Sequence, residues 1–222
     1  MSEDAPPPEI GWRAPEVEEE LPALRLLYSR VEVARRGSLT GATPADVAER
    51  LRGFSSRFRG ARGVNIRREP VPSAYRVFFR HIGLDPDVVR TPIEEAALER
   101  MLHGGFRSGG LLEDVLLLAL LDTGVAVWAL DADKIDGPLG IRPSVEGEVL
   151  GSAGDAVPLP AGRLVVADER SALALLFDQP ASVAASSAKS RSLTLFAIQV
   201  AGVPTLYVEE ALWGAAVALE QP

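Results

Sequence analysis

Cysteine is absent from this chain, and histidine occurs only as His81 and His103. No disulfide framework, thiolate nucleophile or zinc ribbon can therefore be built, and two imidazoles leave little for a histidine-ligated metal or a serine triad. Neither a metal nor a cofactor is expected. There is no GxGxxG and no GxxxxGKS, so the dinucleotide and P-loop fingerprints are missing. Long apolar runs are missing too: in the most apolar window, Leu111 to Leu130, Glu113, Asp114 and Asp122 interrupt, and the longest uninterrupted stretch is Val115 to Leu121. That is too short and too charged to cross a bilayer. The first residues, MSEDAPPPEIG, lack the basic start and apolar core of a signal peptide. A cytoplasmic protein with no membrane partner is the expectation.

What is present is an ordinary globular composition: 222 residues, 47% hydrophobic and 24% charged, enough to bury a core without staples. The formal charge of −8 is unevenly distributed, with residues 1–110 near neutral and 111–222 strongly acidic. Arg50 to Arg80 is the basic exception: nine arginines face a single acid, Glu69. Such a cluster can neutralise phosphates, and its interleaved Phe54 and Phe58 could stack on bases. The competing reading is a solvated helix face balancing the acidic half.

Periodicity and caps predict the elements. Residues 1–14 read as a disordered lead. Leu24 to Ala34 alternates like a strand. Thr43-Pro44 opens a helix to about 59 with Val47, Leu51, Phe54 and Phe58 on one face. Pro72 to Ile82 is a second helix stopped by Gly83. Thr91-Pro92-Ile93-Glu94 is a capping box opening a third, which ends at Gly104-Gly105. Leu111 to Thr123 is apolar nearly all round, hence a buried central helix. After Gly124, short apolar stretches at 125–130, 139–145, 163–167, 172–177 and 193–201 read as strands, and Val208 to Leu219 closes the chain as a helix. This order predicts a single α+β domain over 15–222.

Gly104-Gly105 and Gly109-Gly110 bracket Phe106-Arg107-Ser108, either a backbone nest for an anion or a tight inter-helix loop, the latter being the commoner outcome. Asp131-Ala132-Asp133-Lys134-Ile135-Asp136-Gly137 imitates the start of a calcium loop. It has Ile135 and Arg142 where such a loop needs oxygen ligands, so it reads as a turn bonded by its own Asp side chains.

Taken in order, Pro15-Glu16-Val17, Leu21-Pro22, Tyr75-Arg76, Gly83-Leu84-Asp85-Pro86, Leu112-Glu113-Asp114, Gly124, Asp131 to Gly137, Ile141-Arg142 and Glu146-Gly147-Glu148 resemble the B3/B4 domain. This is the tRNA-editing domain of the bacterial phenylalanyl-tRNA synthetase beta subunit, here in stand-alone form. The resemblance implies an α+β domain with a β-sandwich-like core and flanking helices. It also implies tRNA or aminoacyl-tRNA as partner, and an aminoacyl-tRNA deacylase that hydrolyses an ester in trans. The family pocket carries a Thr-Asn pair on its core helix and a His on the following strand; in register, this chain has Leu116, Leu117 and Trp128. The implied pocket is thus more apolar than the family's, built around Leu117, Trp128, Asp131, Arg142 and Glu148, with Arg57, Arg59, Arg62, Arg67 and Arg68 toward RNA. Two alternatives stay open: a non-catalytic binding domain that keeps only the fold, and a small-molecule hydrolase with Asp131 or Glu148 as base.

Overall fold

The computed structural model describes residues 6–34, 39–58, 65–151 and 156–220. Two four-stranded sheets share one apolar core. The first has the order β1-β3-β10-β4, from β1 (Glu9–Ile10), β3 (Arg25–Glu32), β10 (Ser192–Gln199) and β4 (Val127–Asp131), antiparallel throughout. The second has the order β2-β5-β8-β9, from β2 (Trp12–Arg13), β5 (Gly140–Pro143), β8 (Leu164–Ala167) and β9 (Ala172–Leu175). A hairpin of β6 (Val149–Leu150) and β7 (Val157–Pro158) stands beside them. The helices accompanying the sheets are α1 (Pro15–Glu20), α2 (Ala45–Arg57), α3 (Pro70–His81), α4 (Pro92–His103), α5 (Leu111–Thr123) and α6 (Thr205–Glu220). The α+β class, the single domain and the sandwich-like core are as the sequence implies.

Residues 9–13, expected to be part of a disordered lead, are instead ordered as β1 and β2, one strand for each sheet. The chain changes sheets at Gly11, where a Cβ would sit 2.6 Å from the Leu139 carbonyl oxygen, so glycine alone fits. Residues 1–5 lie outside the described residues.

β10 is buried along all eight residues because β3 and β4 flank it while α6 packs against it. α5 meets α6, α2 and β4, and buries Leu111, Val115, Leu118 and Leu121. Gly124, at φ +77, ends α5 in the left-handed conformation that glycine adopts freely, and the chain turns directly into β4. This turn places the half-buried flank of α5, Leu112, Leu116 and Leu117, beside Trp128.

The residues carrying the B3/B4 resemblance in the first half are fastenings. Tyr75 donates its hydroxyl to the Ile198 carbonyl at 2.7 Å, tying α3 to β10. Arg76 is bound by Asp87, Glu94 and the Pro86 carbonyl. Glu94 also accepts from the Thr91 backbone and hydroxyl, completing the predicted capping box. Among the described residues no helix is long and apolar enough to cross a membrane, and no group of three His, Asp or Glu is placed to hold a metal.

Candidate functional site

A cleft of about 860 Å³ opens between α4, α5, β4 and the loop 104–110. Its floor follows from the apolar sequence of α5: Leu112, Leu116, Leu117 and Leu120 come from one flank of the helix, and Trp128 and Phe177 close the far side. The Trp128 indole is 5% exposed and stacks on Phe196, with ring centroids 5.5 Å apart and an interplanar angle of 18°. Phe177 meets Trp128 edge-on at 6.0 Å and also contacts Tyr75, Phe78 and Phe79. It does so at φ +67, a conformation that a bulky residue adopts only when its surroundings hold it there.

The rim is charged. Arg90 pairs with Glu95 at 3.8 Å, and His103 Nε2 lies 3.0 Å from Glu99. Arg100 spends its guanidinium on the Ser55 carbonyl, at 3.2 and 2.9 Å. Arg107 is exposed at the loop tip and makes no ion pair among the described residues.

Where loop 104–110 meets α5, Asp114 is 1% exposed yet fully bonded. Its Oδ2 accepts from the Thr43 hydroxyl at 2.5 Å and the Ser108 hydroxyl at 2.6 Å, and its Oδ1 accepts from the Gly109 backbone at 3.0 Å. The glycine-flanked loop therefore does present a backbone N–H to an anion, but that anion is the protein's own carboxylate. Thr43, expected to cap α2, is instead drawn to Asp114; the helix starts at Ala45 with no side-chain cap.

Of the five pocket residues expected from the sequence, the cleft brings together Leu117 and Trp128 and excludes the other three. Asp131 turns into the segment behind β4: its carboxylate accepts from Ser190 Oγ at 2.7 Å and the Asp133 backbone at 3.3 Å, and Lys134 lies 3.7 Å away. The 131–137 segment is the Asp-bonded turn foreseen. Arg142, on β5, and Glu148, in the loop before β6, form a bidentate pair at 2.9 and 2.5 Å. The guanidinium holds the Glu148 carboxyl below its usual range, which makes it a weaker base. Asp168 accepts from the backbones of Asp136, Arg170 and Ser171, a turn residue.

The arginine window is divided by the fold. Arg76 is buried, Arg50 pairs with Asp122 at 2.8 Å, and Arg57 covers the Phe54 ring at 4.1 Å. Arg67 and Arg68 are exposed on the 3-10 turn before α3, with Arg67 3.9 Å from Asp87. Arg59 and Arg62 lie outside the described residues. Phe54 and Phe58, read as possible base-stacking rings, are core residues at 5% and 1% exposure; the helical spacing that grouped them with Val47 and Leu51 already marks them as such.

Sequence reasoning missed the rim of Arg90, Arg100 and Arg107, the Phe177 wall and the Thr43–Ser108–Asp114 cluster. The rim residues are 17 positions apart at their extremes and on different elements, and Thr43 is 71 positions from Asp114. Only the glycine pairs around Arg107 gave a local signal.

No family model matches the chain. The phenylalanine–tRNA ligase beta subunit of Neisseria meningitidis serogroup A is 40% identical over 78 residues, 35% of this chain and 10% of that subunit. The same subunit of Xanthomonas oryzae pv. oryzae is 36% identical over 94 residues, 42% of this chain and 12% of the subunit. That of Xylella fastidiosa is 34% identical over 102 residues, 46% of this chain and 12% of the subunit. An N-terminal fragment of the Pyrococcus horikoshii phenylalanyl-tRNA synthetase beta subunit aligns in structure with a TM-score of 0.44 and 13% identity, over 93% of this chain and 47% of that one. The chain spans about a tenth of the length of the curated relatives it matches. It is a domain similar to part of the phenylalanine–tRNA ligase beta subunit.

Proposed function

We propose that this domain binds tRNA, with the cleft beside Trp128 receiving the aminoacylated 3′ end. The carrying observation is the cleft itself: about 860 Å³ with an apolar floor of Leu112, Leu116, Leu117 and Trp128 under a rim that includes Arg90, Arg100 and Arg107. That volume lies within the range of small-ligand sites, and the floor suits an apolar or aromatic aminoacyl side chain. Arg107 at the rim and Arg57, Arg67 and Arg68 on the neighbouring elements supply charge for phosphates.

The finer reading, an aminoacyl-tRNA editing deacylase acting in trans, must work without the polar side chains that the resemblance associates with the pocket floor. A second reading, a binding domain without hydrolysis, is favoured by the state of the carboxylates: Asp114, Asp131 and Glu148 are each already committed to hydrogen bonds or ion pairs within the fold.

Filter binding of tRNA over a range of salt tests the first step. Removing one arginine that neutralises a phosphate should flatten the log–log salt dependence by about 0.7 to 0.9, so a triple Arg67→Ala, Arg68→Ala, Arg107→Ala variant should lower the slope by about 2 to 3. A flat salt dependence for the unmodified protein refutes tRNA binding. A panel of misacylated tRNAs, scored for released amino acid, separates the two readings.

A further inference from the structure

β4 is an edge strand, and its open edge faces the cleft. In an antiparallel ladder, alternate residues direct both N–H and C=O to the same side. The Asp131 N–H points away from β10, to the Ala184 carbonyl at 2.9 Å. By parity Ala129 and Val127 also point away from β10, while Trp128 and Leu130 bond to it. Past Leu130 the edge is covered, by the isolated bridge to Ala185 and the Asp131 bond. Before Val127, the Val125 N–H is taken by Thr123 Oγ1 at 3.0 Å. The Val127 N–H and C=O and the Ala129 N–H have no partner among the described residues, although both residues line the cleft and are largely buried. Buried backbone groups of this kind are normally paired.

The geometry points to this edge as the anchor for one aminoacyl residue. An amine donating to the Val127 C=O, with the carbonyl of the same residue accepting from the Ala129 N–H, is a parallel bridge opposite Trp128. It pairs the Val127 C=O and the Ala129 N–H; an antiparallel pair on Val127 would take both Val127 groups instead, leave the Ala129 N–H unmet and so leave the Ala129 amide resonance still. The uncovered length admits a single residue, because the Ala184–Ala185 segment blocks extension as a longer strand. Bridge partners carry their side chains on one face. The ligand side chain therefore continues the row Phe196–Trp128. Backbone groups thus supply the polar contacts that Leu116, Leu117 and Trp128 do not. This inference rests on the cleft being the ligand site.

L-Phenylalaninamide is the probe, compared with 3-phenylpropanamide, which lacks the amine, and ethylbenzene, which offers the ring alone. A hydrogen bond from the charged amine should make phenylalaninamide bind roughly tenfold or more tighter than 3-phenylpropanamide. Its addition should move the Ala129 amide resonance. Ala129→Pro deletes the cleft-facing N–H alone, at an edge position where proline is tolerated. It should weaken phenylalaninamide about fivefold and leave ethylbenzene unchanged. If the variant misfolds, the amine comparison and the amide resonance in the unmodified protein carry the test. Binding of all three probes with an amine effect under twofold and a still Ala129 amide overturns the anchor and leaves the cleft reading standing. Tighter binding of Ala-Phe-Ala-amide than of phenylalaninamide overturns the single-residue fit. No binding of any probe, together with no tRNA binding, overturns the reading beneath it as well.

Discussion

Replacing Asp114 by alanine removes the one carboxylate that fastens loop 104–110 to α5 and to Thr43. Three donors lose their acceptor: the Thr43 and Ser108 hydroxyls and the Gly109 N–H. Hydrogen bonds to a charged group contribute about 1.5–3 kcal/mol each, but Ser108 is exposed and can turn to water. Loss of a negative charge near the α5 N-terminus adds a further ~0.3–1 kcal/mol. The net expectation is about 3 kcal/mol, or a fall of roughly 6–12 °C in Tm for a chain of this size. Asp114→Asn keeps one acceptor and the shape, so it should lose about half as much. Urea denaturation followed by circular dichroism measures both. Hydrogen exchange across 104–110 should quicken in Asp114→Ala before global unfolding. Ser108→Ala and Thr43→Val should each be milder, and non-additive with Asp114→Ala, since they share its Oδ2. A stability change below ~0.5 kcal/mol, or unchanged exchange in the loop, would refute the reasoning.

Arg76→Met strands Glu94, which is 11% exposed, without its cation and should destabilise by about 3–5 kcal/mol; adding Glu94→Gln should recover part of this, as seen by thermal melts. Glu148 has a folded pKa below its unfolded value because Arg142 stabilises the carboxylate. Its contribution is therefore present above the unfolded pKa and lost as pH falls through the folded one, so Glu148→Gln should flatten acid denaturation curves below about pH 4.5 and leave their alkaline limb unchanged. Tyr75→Phe leaves the Ile198 carbonyl short of a buried donor and should cost about 1–2 kcal/mol in urea, with no change in tRNA retention.

Much of the architecture was legible because it is written in local patterns. The capping box at Thr91 and Glu94, the period of α2, the apolar girth of α5 and the glycine stop at 104 each depend on residues within a turn or two. Strand stretches after Gly124 were legible for the same reason. The short strands β1 and β2 were not, since two residues cannot show a period and their pairing partners lie up to 128 positions away in sequence.

Leu117 and Trp128 were identified as neighbours by register, and the tight α5–β4 turn realises that. Asp131, Arg142 and Glu148 were grouped with them as polar residues at strand ends. In a strand, successive residues face opposite ways, and a following turn carries the chain to another sheet, so nearness in sequence says little about a shared pocket.

The amino-acid sequence by itself determined the main helices and the longer strands, the absence of thiol chemistry and the segments that resemble a synthetase domain, because propensity, capping and composition act over a few residues. Only the tertiary structure decided which arginines remain exposed, which carboxylates are already paired and that a sheet edge lies open beside Trp128, because burial and pairing depend on partners brought together across the whole chain.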